Sequence, residues 1–121
     1  MSIPHHAADR PRIALIALGG TIAGTASSPV ALTDYDSGKL EVDTLLHSIP
    51  ELSELAHISA EQFANMLSDD ITVAHWIRLA CHVNSLLHSD LYDGVVITHG
   101  TDTLEETAYF LQLTVNSDKP V

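Results

Sequence analysis

Apolar residues are distributed along the chain in two distinct rhythms. Three stretches are continuously or alternately apolar: Arg12 to Leu18, His57 to Phe63 in weaker alternating form, and Gly94 to Thr98 around Val95, Val96 and Ile97. Short runs of this kind, rich in β-branched residues, predict strands, and continuous ones suit parallel strands covered on both faces. Between them the spacing changes to that of a helix. A short helix is predicted from Asp43 to Ile49, stopped by Pro50, with a further turn after it. From Thr72 to about His88 the residues Val73, Trp76, Ile77, Ala80, Val83 and Leu87 recur at helical intervals, with Thr72 placed as N-cap. A last helix is expected to start at Thr103, where Thr103 and Glu106 have the spacing of a capping box, and to bury Leu104, Ala108, Leu111 and Val115.

Strand, helix, strand, helix, strand, helix is the order of right-handed parallel crossovers, so the fold class is α/β with a Rossmann-like parallel sheet. Lys119-Pro120 ends the last helix, and Val121 reads as the first residue of a fourth strand, which makes the sheet incomplete. The segment Gly19 to Lys39 breaks the rhythm. It is rich in Gly, Ser, Thr and Asp, and is expected to be a mobile loop or irregular hairpin over the sheet. Residues 1–11 form a polar tail, and the whole of 1–121 is one partial domain.

Composition narrows the function. Sixteen acidic residues against five basic ones give a net charge of -11, and Arg10, Arg12, Lys39, Arg78 and Lys119 are scattered. A nucleic-acid binder needs clustered cations to neutralise phosphates, so that class of partner is not expected. The six-residue apolar run Ile13 to Leu18 is too short to span a bilayer or to form a signal-peptide core, so no membrane partner is expected either. Cys81 is the single cysteine, which fits a reducing compartment and a cytoplasmic location, or a periplasmic one if a leader has been removed. It is expected to be buried, as are Trp76 and Tyr109 at least in part. His75 and His82 lie two turns apart on one helix, roughly 10 Å, too far to share an ion, so no metal or other cofactor is expected.

In open parallel sheets, ligands bind beyond the carboxyl ends of the strands. Each predicted strand here is followed by residues suited to chemistry: Gly19-Gly20-Thr21 after the first, Ser68-Asp69-Asp70 after the second, and His99-Gly100-Thr101-Asp102-Thr103 after the third. Two glycines allow a sharp turn with the Thr21 hydroxyl on it. A nucleotide loop is the rival reading, although neither the dinucleotide pattern nor the lysine of a phosphate loop is present. Thr101 and Asp102 precede a helix N-terminus, whose free N–H groups stabilise negative charge. With Thr103 as the cap, Thr101 and Asp102 are left for other work, and His99 is expected to support the loop by hydrogen bonds.

The blocks Gly-Gly-Thr-Ile-Ala-Gly (Gly19 to Gly24) and His-Gly-Thr-Asp-Thr (His99 to Thr103), followed by Glu105-Glu106-Thr107-Ala108-Tyr109, resemble bacterial-type L-asparaginases over nearly the whole chain from Ile13, though over only the opening third or so of a family member. The resemblance implies hydrolysis of asparagine, with glutamine as a second substrate, to the acid and ammonia. Carried over by position, Thr21 resembles the nucleophile and Tyr35 the residue that orients it or helps to deprotonate it. Thr101 resembles the second catalytic threonine. Ser68 matches the residue that holds the substrate α-carboxylate, and Asp69 and Asp102 match those that hold its α-ammonium. The family usually has Gln or Glu, one methylene longer, where Asp69 stands. In the family a lysine partnering the second threonine and the following aspartate, which implies a catalytic place for Asp102 too, and a carboxylate from a neighbouring subunit, come from segments beyond the position of Val121. Full-length members are thus implied to be homo-oligomers (tetramers), and residues 1–121 alone to be inactive. A non-catalytic remnant or interaction module, and less directly a nucleotide-binding α/β domain, are the alternatives.

Overall fold

A computed structural model describes residues 10–20 and 37–121. Three strands, β1 (Arg12–Ala17), β2 (His57–Gln62) and β3 (Gly94–Thr98), form one sheet of order β2-β1-β3. Both pairings are parallel, with Arg12 opposite His57 and Ile13 opposite Gly94. Among the described residues four helices accompany them: α1 (Ser37–His47), α2 (Leu52–Leu55), α3 (Val73–His88) and α4 (Leu104–Thr114). A 3-10 turn spans Ser68–Asp70. The α/β class and the parallel sheet are as expected.

The strand that is most apolar in sequence lies at the centre. Alternate residues of β1 enter two cores. Ala14, Ile16 and, just beyond the strand, Leu18 pack with Leu79, Ala80, Val83 and Leu87 of α3, Val95 of β3 and Leu111 of α4. Leu15 and Ala17 face the other way, onto Val42 of α1. Helices therefore cover both faces, which is why the first strand carries no polar alternation. At its start, the Arg12 side chain donates to both Asp93 carboxylate oxygens, and Asp93 Oδ2 also accepts from the Arg12 backbone N–H at 2.7 Å. Those hydrogen bonds from Arg12 hold the Asp93 carboxyl below its usual range.

Several elements differ from expectation in detail. The first helix begins at Ser37, so the loop expected through Lys39 ends sooner and the helix starts six residues ahead of Asp43. Gly38 obscured this start, while the contact of Val42 with the sheet supplies the helix with its core face. In α3 the N-cap is Thr72, as expected, but its capping box closes on His75. The buried stripe is Leu79, Ala80, Val83 and Leu87, whereas Val73 and Ile77 are more than half exposed. In α4 Leu111 is buried as predicted, joined by Thr107, whereas the predicted Leu104 and Ala108 are exposed and Val115 is half-buried. All four predicted residues line a groove of about 450 Å³ beside Ile97 and Val121. Cys81 is exposed, and so is Tyr109 at 66%, because each projects from a helix flank turned away from the sheet.

Candidate active site

The order β2-β1-β3 makes the chain leave β1 in one direction for β2 and return across it to β3. The carboxyl ends of β1 and β3 therefore border a topological switch point, the place where open parallel sheets gather ligands. Backbone hydrogen bonds extend the convergence past the strand ends. Leu18 N–H donates to Thr98 O at 3.1 Å on one side, and Met66 N–H to Leu18 O at 3.0 Å on the other.

Beyond Leu18 the two glycines turn with φ of +101° and +88°, a left-handed conformation that disfavours any side chain. Space forbids one as well. A Cβ on Gly20 would stand 2.7 Å from both N and Cα of Gly100, and one on Gly100 would stand 2.9 Å from Ser68 Cβ and 3.0 Å from its Oγ. Gly20, Gly100 and Ser68 thus touch in series, joining the exits of β1, β3 and β2. Thr21 follows directly on Gly20 and Thr101 on Gly100. Thr21 and Tyr35 themselves lie outside the described residues. Thr101 and Asp102 are exposed on the loop between β3 and α4, Asp69 and Asp70 are exposed on the turn after β2, and Ser68 is 5% exposed. The structure thus brings Ser68, Asp69, Thr101 and Asp102 onto adjoining loops, with Asp69, Asp70 and Asp102 exposed.

One local expectation is corrected. Thr103 occupies the N-cap position of α4 but makes no capping hydrogen bond. Its hydroxyl donates to the Ser68 carbonyl at 2.8 Å. The capping box with Glu106 is therefore absent, and Thr103 serves instead to tie the β3 loop to the β2 loop. Among the described side chains, Arg10 donates to the Ser53 carbonyl, Arg12 binds Asp93, Arg78 lies over the Phe63 ring at 5.5 Å, and Lys119 donates to the carbonyls of Ser89 and Tyr92. None of these four cations is bonded to Thr101; the side chain of Lys39 lies outside the described set.

Behind the loop lies a buried polar group that sequence reasoning did not assemble. His99, 8% exposed, contacts Thr107 Oγ1 through Nε2 at 2.7 Å and the Gly100 carbonyl through Nδ1 at 2.6 Å. Trp76 Nε1–H donates to the same Thr107 oxygen at 2.8 Å. His99 supports the loop as expected. Thr107 lies outside the predicted buried stripe of α4, so the sequence carried no signal for the rest.

Comparison with known proteins gives a consistent result. Residues 12–121 match the family model described as "Asparaginase, N-terminal". The chain is 50% identical over 113 residues to L-asparaginase 2 of Bacillus subtilis, covering 93% of this chain and 30% of that protein. It is 43% identical over 109 residues to the glutaminase-asparaginase of Acinetobacter glutaminasificans, covering 90% of this chain and 33% of that one. The crystal structure of a probable cytoplasmic L-asparaginase from Campylobacter jejuni superposes with a TM-score of 0.79 at 49% identity, over 93% of this chain and 33% of its own. The chain thus spans about a third of the length of the relatives it matches.

Proposed function

The chain belongs to the asparaginase family, whose N-terminal region it matches from residue 12 to 121, and from that premise we propose that it carries the nucleophile-bearing part of an amidohydrolase that converts asparagine, and secondarily glutamine, to the acid and ammonia. The observation that carries this reading is the direct contact between Gly20 and Gly100, the residues immediately before the two threonines.

In this reading Thr21 Oγ attacks the side-chain amide carbon, with Tyr35 orienting it or drawing off its proton, since a threonine hydroxyl is a weak nucleophile unaided. Thr101 and the backbone N–H groups at its loop stabilise the oxyanion, each donor contributing about 3 kcal/mol to the transition state. Ser68 takes the substrate α-carboxylate, while Asp69 and Asp102 take its α-ammonium. Asp69 is shorter than the Gln or Glu usual there, so the ammonium sits closer to the β2 loop or is held through water. A lysine for Thr101 and a further carboxylate come from the part of the protein outside this segment and from a neighbouring subunit of a homo-oligomer.

A hybrid tests this directly: residues 12–121 are set in place of the matching segment of the Bacillus subtilis relative. It should release ammonia from asparagine, and Thr21→Ala or Thr101→Ala should each lower kcat by about 1,000-fold or more, the scale of losing a nucleophile or an oxyanion partner. A folded hybrid that keeps its activity without the Thr21 hydroxyl would refute the assignment.

A further inference from the structure

The buried group behind Gly100 has a single consistent arrangement of protons. An indole N–H only donates, so Thr107 Oγ1 accepts from Trp76 at 2.8 Å. That oxygen keeps a second lone pair and one proton, so the Trp76 contact leaves both directions open toward His99 Nε2, 2.7 Å away. The other ring nitrogen decides between them. Nδ1 lies 2.6 Å from the Gly100 carbonyl, which can only accept, so in the neutral ring the proton is on Nδ1 and Nε2 accepts from the Thr107 hydroxyl. Each link is then satisfied in one direction, from Trp76 through Thr107 and His99 to Gly100. Trp76 is itself held by stacking on Phe110, with ring centroids 5.3 Å apart.

We propose that Trp76, Thr107 and His99 are positioning residues that fix the peptide unit between Gly100 and Thr101, and so aim the Thr101 N–H and hydroxyl. None of the three touches substrate, and the proposal rests on the amidohydrolase reading above. The Gly100 carbonyl and the Thr101 N–H belong to one planar unit, so anchoring the oxygen sets the direction of the N–H. Such an anchor is needed here. Gly100 has the widest backbone freedom of any residue, and the contacts with Ser68 leave no room for a side chain to stiffen it. A hydrogen bond from outside is the remaining means of restraint. The helix α3, the helix α4 and the end of β3 each supply one member, so the loop is referenced to three elements of the core at once.

A merely structural role, the pairing of buried polar groups, predicts lost stability alone. Two measurements separate the cases. In the 121-residue chain, nitrogen-15 NMR should find the His99 ring as the Nδ1–H tautomer. Thr107→Val should shift the Thr101 amide resonance and speed its hydrogen exchange, and Thr107→Ser should restore both. In the hybrid enzyme, Thr107→Val should lower kcat about tenfold with KM little changed, the pattern of a misaimed group, and Thr107→Ser should keep kcat. Trp76→Phe, which retains the stacking and removes the donor, gives the same direction of change where Thr107→Val folds poorly. An Nε2–H tautomer overturns the proposal, as does a variant that melts earlier while its Thr101 amide and kcat stay unchanged. Absence of any ammonia release from the unmutated hybrid counts against the amidohydrolase reading instead, and leaves the tautomer and amide measurements to judge the hydrogen-bond chain.

Discussion

Gly20 is the residue on which the geometry of the site is most sensitive. A methyl group there meets two penalties, the left-handed φ of +88° and a backbone neighbour at 2.7 Å that has no rotamer to yield. Together these should cost about 2–4 kcal/mol for Gly20→Ala, read as a lower midpoint in urea unfolding. Gly19 and Gly20 announced their turn in the sequence, because a glycine pair after an apolar run has few other uses. Thr103 did not. Its spacing to Glu106 satisfies the local rule for a helix cap, and only the nearness of the Ser68 carbonyl, 35 residues away, explains why its hydroxyl bonds there. Thr107 was equally opaque: a threonine at a buried helical position has no reading until its indole and imidazole partners are in place.

At the scale of elements, the periodicity located the three described strands and helices α3 and α4, yet it rotated the buried stripes slightly. Val73 and Ile77 share the spacing of a core face but lie toward the outer side of α3, 61% and 54% exposed, while Leu79 is fully buried. Apolar residues on both flanks of a helix leave the choice of inward face to the neighbours, which a single sequence does not display. The distinction is measurable. Leu79→Ala should lose about 2–5 kcal/mol of stability, whereas Val73→Ala should stay within about 0.5 kcal/mol. The junction of β1 with the turn before β3 carries a second prediction. Asp93, lowered in pKa chiefly by the hydrogen bond from the Arg12 side chain, stabilises the fold above the ordinary carboxylate pKa of about 3.9 and loses that contribution as pH falls through its depressed value. Asp93→Asn should therefore lower Tm at neutral pH and narrow the drop in Tm on acidification below about pH 4. Both groups are well exposed, so the change is small.

For the molecule as a whole, the sheet order is what unites the pieces. Alternation of strands and helices in the sequence implied parallel crossovers, but not which strand stands in the middle. That followed only from the packing of Leu15 and Ala17 on α1 and of Ile16 on α3. On the face opposite α3 and α4, Val96 of β3 is half exposed. An apolar strand edge of this kind favours self-association. Val96→Lys should shift the 121-residue chain toward monomer in sedimentation without lowering its Tm appreciably. The central place of β1 also has a temporal side. Ile13 to Ala17 leaves the ribosome before both of its partners, which arrive only with His57 and, later still, Gly94. Until then this apolar strand lacks the neighbours it pairs with, which makes it a natural client for holdase chaperones and ties acquisition of the native state to the pace of translation.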